Sequence, residues 1–71
     1  MRIYAKQSHA RRAAEDKANE FGAMFGIYCR RVSGCPSYIV ASMAKGESSY
    51  FPGGRDCWLL IETQMPTRWD R

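Results

Sequence analysis

Apolar and polar residues alternate along short stretches of the chain, which is the pattern of half-buried β-strands. The first stretch is "RIYAK", residues 2–6, where Ile3 and Ala5 fall on one side and Tyr4 and Lys6 on the other. Three more strands are predicted from their alternation and their β-branched and aromatic content. They are "IYCRRV", "SYIVASM" and "CWLLIET", at residues 27–32, 37–43 and 57–63.

A different spacing, with apolar residues three or four positions apart, predicts one amphipathic helix after the first strand. Its stripe consists of Ala10, Ala14, Ala18, Phe21 and Phe25. Ser8 is the predicted N-cap. The helix is predicted to end near Phe21, where Gly22 or Gly26 adopts the left-handed conformation of a C-terminal cap. Because alanine is small, this stripe is expected to lie very close to a sheet, with the phenylalanines in a deeper core.

The segment "SGCP", residues 33–36, supplies a turn between two predicted strands, which are therefore expected to pair as an antiparallel hairpin. A short additional strand is predicted at "SSYF", residues 48–51, before the turn at "PGG". The element order is thus β-α-β-β-(β)-β. It predicts a single α+β domain over residues 1–71, with two layers: a mostly antiparallel sheet and one helix packed on one face.

Composition adds a basic surface to this fold. The formal net charge is +4, and eight of the eleven basic residues are arginine. The planar guanidinium of arginine suits phosphates, carboxylates and aromatic faces, so the charge favours acidic partners, although an ordinary solvated surface has the same composition. A chain of 71 residues has little room for both a core and a deep substrate pocket, which favours a binding module over an enzyme.

Residues able to carry metal or catalytic chemistry are few and badly spaced. Cys29, Cys35 and Cys57 are odd in number, which argues against a closed disulfide framework, and they are expected to be small buried apolar residues. A zinc site of these cysteines with His9 lacks any C-x₂-C pair. His9 is the only histidine, and nothing places it beside a nucleophile. We therefore expect no metal, no cofactor and no enzymatic activity.

Two kinds of binding surface remain open. Arginines interleaved with aromatic residues suit nucleic acid, and an exposed stacking face is expected if the strand register allows it. That face would hold Tyr4, Tyr28, Arg30, Tyr38 and Trp58. The nucleic-acid contacts would be Arg2, Arg11, Arg12, Arg30, Arg31 and Arg55. Alternation turns Arg30 and Arg31 to opposite faces, so the two do not form one paired clamp.

The second kind of surface is a protein interface, because tyrosine, tryptophan, arginine and methionine are enriched at interface cores. Large aromatic residues in the long loop and in the C-terminal tail are hard to bury in a small domain, so they are expected either to anchor a partner or to cover the open sheet face. The predicted partner contacts are Arg30, Arg31, Tyr50, Phe51, Arg55, Arg68 and Trp69.

The sequence has no pattern typical of a targeting signal or a membrane span. The first twelve residues lack the apolar region and the cleavage site of a signal peptide, and no uncharged run is long enough to cross a bilayer. A cytoplasmic protein without a membrane partner is expected. The exposed edge of a small sheet also leaves a symmetric homodimer open.

The element order resembles that of small phage-encoded inhibitor proteins, including some anti-CRISPR proteins. The resemblance rests on "RIYAK", the helix "SHARRAAEDKANEF" and the three later strands, and it concerns size and order of elements. It implies a stoichiometric binder that blocks a host nucleoprotein machine. The leading hypothesis is therefore a non-catalytic protein that docks on a host protein or nucleoprotein complex. Direct nucleic-acid binding is the alternative, and a small enzyme comes third.

Overall fold

One helix and a three-stranded antiparallel sheet form the protein in a computed structural model that describes residues 2–43, 51 and 53–67. Helix α1 spans Gln7–Phe21. Strand β1 spans Phe25–Val32, β2 spans Cys35–Ser42 and β3 spans Leu59–Gln64. The strand order is β2-β1-β3, with the helix packed against the sheet. The predicted α+β class with a helix on an antiparallel sheet is confirmed.

Helix α1 ends where the sequence predicts but begins earlier. Gly22 has φ 64°, in the left-handed region that glycine tolerates, and its N–H donates to the carbonyl of Ala18. At the other end Lys6 is the extended N-cap residue, without a side-chain capping bond. The prediction of Ser8 as the N-cap is therefore wrong, because Ser8 already lies inside the first turn.

The apolar stripe of α1 is made of alanine alone. Ala10, Ala14 and Ala18 are completely buried, as predicted, whereas the Phe21 side chain is 62% exposed, so its predicted place in the core is wrong. The turn at Gly22 is the reason, because it ends the helix and returns the chain to the sheet. Phe25 consequently belongs to β1, where it packs beneath the alanines.

Strands β1 and β2 form the predicted hairpin around a two-residue loop. Ser33 and Gly34 both have positive φ, 55° and 80°, which matches the backbone twist that a two-residue hairpin turn requires. Cys35 pairs with Val32 and Pro36 pairs with Arg31, so both residues belong to β2, and their predicted place in the turn is wrong.

Three other predicted strands are corrected or lie mostly outside the described residues. "RIYAK" is not a strand of the sheet: Tyr4 forms a single antiparallel bridge to Tyr38 on the outer edge of β2, with both N···O distances 2.8 Å. The predicted strand "CWLLIET" begins two residues late, because residues 55–57 form a 3₁₀ turn before β3. Most of the predicted "SSYF" strand, residues 48–50, lies outside the described part of the chain.

A bulge in the pairing of β1 with β3 decides which side of the sheet each β3 residue occupies. Ile27 pairs with Glu62 and its neighbour Tyr28 pairs with Leu60, so Ile61 is the extra residue. Strict alternation puts Leu60 and Glu62 on the same face. With the bulge, Glu62 lies on the side of the helix and Leu60 lies on the opposite side.

Each face of the sheet carries its own hydrophobic cluster. The helix-side cluster consists of Ala10, Ala14, Ala18, Phe25 and Ile27. The far-side cluster consists of Tyr28, Ile39, Ala41, Phe51 and Trp58. The rings of Tyr28 and Phe51 meet edge to face, with centroids 4.9 Å apart. Two residues that follow β2 in the sequence, Phe51 and Trp58, therefore help to cover the face of the sheet on which the helix does not pack.

Replacement of Ala14 by leucine tests the close approach of α1 to the sheet. Ala14 is fully buried, so a larger side chain must push the helix away from β1. We expect Ala14→Leu to lower the free energy of unfolding by about 1–3 kcal/mol in urea denaturation. Asp16→Leu, at an exposed position of the same helix, is the control and is expected to cause no comparable loss. Equal stability of Ala14→Leu and wild type contradicts the close packing.

Replacement of Ser33 tests the hairpin loop. A residue other than glycine in the left-handed region costs on the order of 1–3 kcal/mol, and asparagine tolerates it better than most residues. We expect Ser33→Asn to raise the midpoint of thermal unfolding and Ser33→Val, which is β-branched, to lower it. The opposite order of the two variants in circular dichroism melts is incompatible with this turn.

Candidate binding surfaces

The predicted arginine contacts on β1 lie on opposite faces of the sheet. Arg30 is on the far side, with its Cζ 5.8 Å from the centroid of the Trp58 ring. Its Nη1 lies 2.7 Å from the point where Gly53 would carry a Cβ, so the guanidinium rests against the backbone of the loop before β3. Arg31 is exposed and opposite Pro36 in the hairpin. These two residues therefore do not act together on one surface.

Of the other predicted partner contacts, one is buried in the core, one lies in the turn before β3, and three lie outside the described residues. Phe51 is buried in the far-side cluster, so its ring covers the sheet face and is not an exposed anchor. Arg55 begins the 3₁₀ turn before β3. Tyr50, Arg68 and Trp69 lie outside the described residues.

The expected aromatic stacking face does not form. Tyr28 and Trp58 are buried on the far side, whereas Tyr4 and Tyr38 pack against the helix-side cluster. The register of β1 with β2 is the cause, because it places Tyr38 opposite Cys29 and not opposite Tyr28. The aromatic rings are thereby divided between the two faces.

All three cysteines are free, and they are less buried than predicted. Cys35 and Cys57 are exposed and Cys29 is half-buried. Cys57 lies in the 3₁₀ turn, where its thiol donates to the carbonyl of Gly53 at 3.1 Å. Within the described ranges, no three side chains of the metal-ligating types come together.

Glu62 is the centre of a polar network that ties the helix to β3. Its two carboxylate oxygens accept hydrogen bonds from Arg11, from Nε at 2.9 Å and from Nη2 at 3.1 Å. Gln7 and Gln64 donate to the same carboxylate at 3.3 and 2.9 Å. The hydrogen bond from Arg11 is the main cause of the lowered pKa of Glu62, and partial burial opposes it. Arg11 of the helix therefore pairs across the fold with Glu62 of β3.

A cationic pocket of about 390 Å³ lies between the N-terminal segment, α1 and the outer edge of β2. The described residues that line it are Arg2, Tyr4, Lys17 and Val40. The Tyr4 bridge to β2 holds the segment in place, and the Arg2 guanidinium lies over the Tyr4 ring with its Cζ 5.4 Å from the centroid. No carboxylate is among these lining residues, so the pocket presents two positive charges over an apolar floor.

Sequence reasoning found only part of this pocket. Arg2 was among the predicted nucleic-acid contacts, but Lys17 and Val40 were not singled out. A signal for Lys17 exists in the helical spacing, because it lies three residues after Ala14 and next to Ala18, at the border of the buried stripe. The position of Val40 depends on the bridge between Tyr4 and Tyr38, which pattern alone does not predict.

A second depression, of about 370 Å³, lies on the other side of α1 and carries mixed charge. Its lining includes Arg11, Arg12, Glu15 and Asp16, so two acidic groups accompany two basic ones. Asn19 at its border accepts hydrogen bonds from the backbone N–H of Thr67 at 2.7 Å and from its hydroxyl at 3.2 Å. The balanced charge gives this depression no preference for an anion.

Four large apolar side chains in β3 and just after it are partly or largely exposed. Leu59 is 69% exposed, Leu60 40% and Ile61 38%, and Met65 just beyond the strand is 52% exposed. We call these four residues the apolar edge. Since β1 occupies the inner side of β3, the apolar edge lies on the opposite border of the sheet from the cationic pocket.

Comparison of the chain with protein-family models, curated protein sequences and solved structures gave no match. Of the helical residues that the structure describes, none belong to a segment with the length and apolar character needed to cross a bilayer. The binding surfaces must therefore be judged from their own geometry and charge.

The Glu62 network predicts a specific pH dependence of stability. Because the pKa of Glu62 in the folded protein lies below its ordinary value of 4.5, its contribution is fully present above that value and is lost as the pH falls through the folded pKa. We expect Glu62→Gln to lower the melting temperature at pH 7, and we expect its difference from wild type to become smaller as the pH falls below 4.5. Glu15→Gln, on the exposed face of α1, serves as the control. A constant difference between Glu62→Gln and wild type from pH 7 to pH 3 rules out the ionic contribution.

Proposed function

We propose that this chain is a small non-catalytic binding protein that docks on an acidic surface of a host protein or nucleoprotein complex, with the cationic pocket as the contact site. The observation that carries the proposal is a pair of cations, Arg2 and Lys17, which border one pocket. Among the described residues that line this pocket, none is a carboxylate. A pocket of this kind favours an acidic side chain or a cluster of them.

The arrangement of Arg2 favours recognition of a carboxylate. Its guanidinium is held over the Tyr4 ring, so less side-chain freedom is lost when it binds. A guanidinium fork binds a carboxylate through two parallel hydrogen bonds, and the ammonium of Lys17 adds a second positive charge. Val40 and the Tyr4 ring supply apolar contact around the charged group.

Several observations favour a protein partner over nucleic acid. A nucleic-acid surface needs cations along one path to follow the phosphate backbone. Here Arg30 and Arg31 face opposite ways, and Arg11 is neutralised by Glu62. The aromatic rings that would stack on bases are divided between two faces. A pocket with two cations suits one or two acidic groups better than an extended polyanion.

The resemblance to phage-encoded inhibitors implies a protein that binds a nucleoprotein complex stoichiometrically and blocks it. Docking of the cationic pocket on that complex fits this role. The acidic contact would lie on a protein subunit of the complex. The source of the partner is therefore a host cell whose machinery the chain restrains.

Paired charge-removal variants test the site. The double variant Arg2→Ser with Lys17→Ser removes both cations of the pocket. The double variant Lys6→Ser with Arg12→Ser removes two exposed cations outside it and gives the same net charge. We expect a protein captured by the wild type from nuclease-treated host lysate to be retained by the Lys6/Arg12 variant. We expect the Arg2/Lys17 variant to bind the purified partner at least about tenfold more weakly, since hydrogen bonds to charged groups contribute about 1.5–3 kcal/mol.

Two results contradict the proposal. Equal weakening by both double variants shows that net charge and not the pocket drives binding. Capture that disappears with nuclease treatment, together with tight binding of a random single-stranded oligonucleotide that falls steeply as salt rises, assigns the chain to the nucleic-acid alternative.

A further inference from the structure

The apolar edge is unusual for a strand that no described segment covers. Leu59, Leu60 and Ile61 are consecutive, and together with Met65 they remain between 38% and 69% exposed. A strand at the border of a sheet also carries a row of backbone N–H and carbonyl groups directed outward. Apolar side chains beside such groups favour the addition of another strand.

The usual protections of an edge strand are weak in β3. Lysine and proline, which commonly block pairing, are absent from Leu59–Gln64. The only charged residue of the strand is Glu62, which lies on the helix side and is neutralised by Arg11. Among the described residues, the bulge at Ile61 is a protective feature of this strand, and it affects the pairing with β1.

We propose that β3 pairs with β3 of a second copy of this chain, antiparallel about a two-fold axis, to form a six-stranded sheet across a homodimer. If the two-fold axis passes through Leu60, the Leu60 residues of the two chains lie opposite each other. Leu59 of each chain then lies opposite Ile61 of the other chain. Every position in this central run then meets an apolar side chain, because the pairing is isologous.

Charge and size both favour a second copy as the occupant. Two chains that each carry a net charge of +4 repel one another overall, but the apolar edge adds no charged side chain to the contact. The core of one chain is small: Ile27 and Ile39 are the largest fully buried side chains among the described residues. Domains of this size commonly gain stability by self-association.

The proposed dimer does not depend on the function proposed above. The cationic pocket lies at the β2 border of the sheet and the apolar edge at the β3 border, so both are accessible at once. A dimer carries two pockets at opposite ends of its continuous sheet. It therefore suits a partner with two acidic contact points.

Size-exclusion chromatography with light scattering over a range of protein concentrations tests the dimer. We expect wild type to have twice the chain mass at high concentration. Leu59→Lys combined with Ile61→Lys is expected to raise the dissociation constant at least about tenfold, as loss of a central contact does in other interfaces. Ile3→Lys makes the same apolar-to-lysine exchange at the opposite border of the sheet, where Ile3 is also exposed, and is expected to leave the dimer intact.

Hydrogen exchange of the wild-type protein gives a second readout that needs no variant. We expect the amides of β3 that are directed away from β1 to exchange slowly at high concentration and to lose this protection on dilution, while the β1–β2 hairpin is unchanged. A wild-type protein that remains monomeric at millimolar concentration overturns the proposal. A dimer that survives Leu59→Lys with Ile61→Lys, or β3 amides whose exchange is independent of concentration, overturns it equally.

Discussion

The structure depends on the contact between three alanines of α1 and the aromatic and aliphatic side chains of β1 beneath them. Ala10, Ala14 and Ala18 have no atoms beyond Cβ, so the helix backbone approaches the sheet closely, and Phe25 and Ile27 supply the bulk of this core. Close approach has a consequence outside the core, because it brings the flanks of the helix within reach of both sheet borders. Arg11 thereby meets Glu62 at one border, and Lys17 meets the N-terminal segment at the other.

The two borders of the sheet differ in chemistry. At β2 the N-terminal segment covers part of the edge through the Tyr4 bridge and brings Arg2 to the pocket. At β3 the exposed side chains of Leu59, Leu60 and Ile61 are apolar, and the single carboxylate of the strand is paired with Arg11. A small sheet with one cationic border and one apolar border has two separate surfaces, so the proposed partner contact and the proposed pairing of two copies do not compete for the same residues. The faces of the sheet serve mainly as core.

One irregularity in the sheet has a large effect on this division. The bulge at Ile61 turns Glu62 toward the helix, where Arg11 and Gln7 reach it, and leaves Leu60 over Gly26 on the far side. Without the bulge, alternation places Glu62 beside Leu60, away from its hydrogen-bond donors. The bulge therefore accounts for two features: it allows the hydrogen bonds between the helix and β3, and it removes the Glu62 carboxylate from the face that carries Leu60.

Local patterns in the sequence determined the alanine stripe, the end of the helix at Gly22, the hairpin of β1 with β2 and the α+β class, because each depends on residues close together in the chain. Tertiary structure alone decided the strand order, the reduction of "RIYAK" to one bridge and the burial of Phe51 over the far face. It also decided the cationic pocket, since Arg2 and Lys17 are fifteen positions apart and meet only when α1 lies on the sheet. Contacts between distant segments depend on register and packing, which periodicity along the chain does not encode.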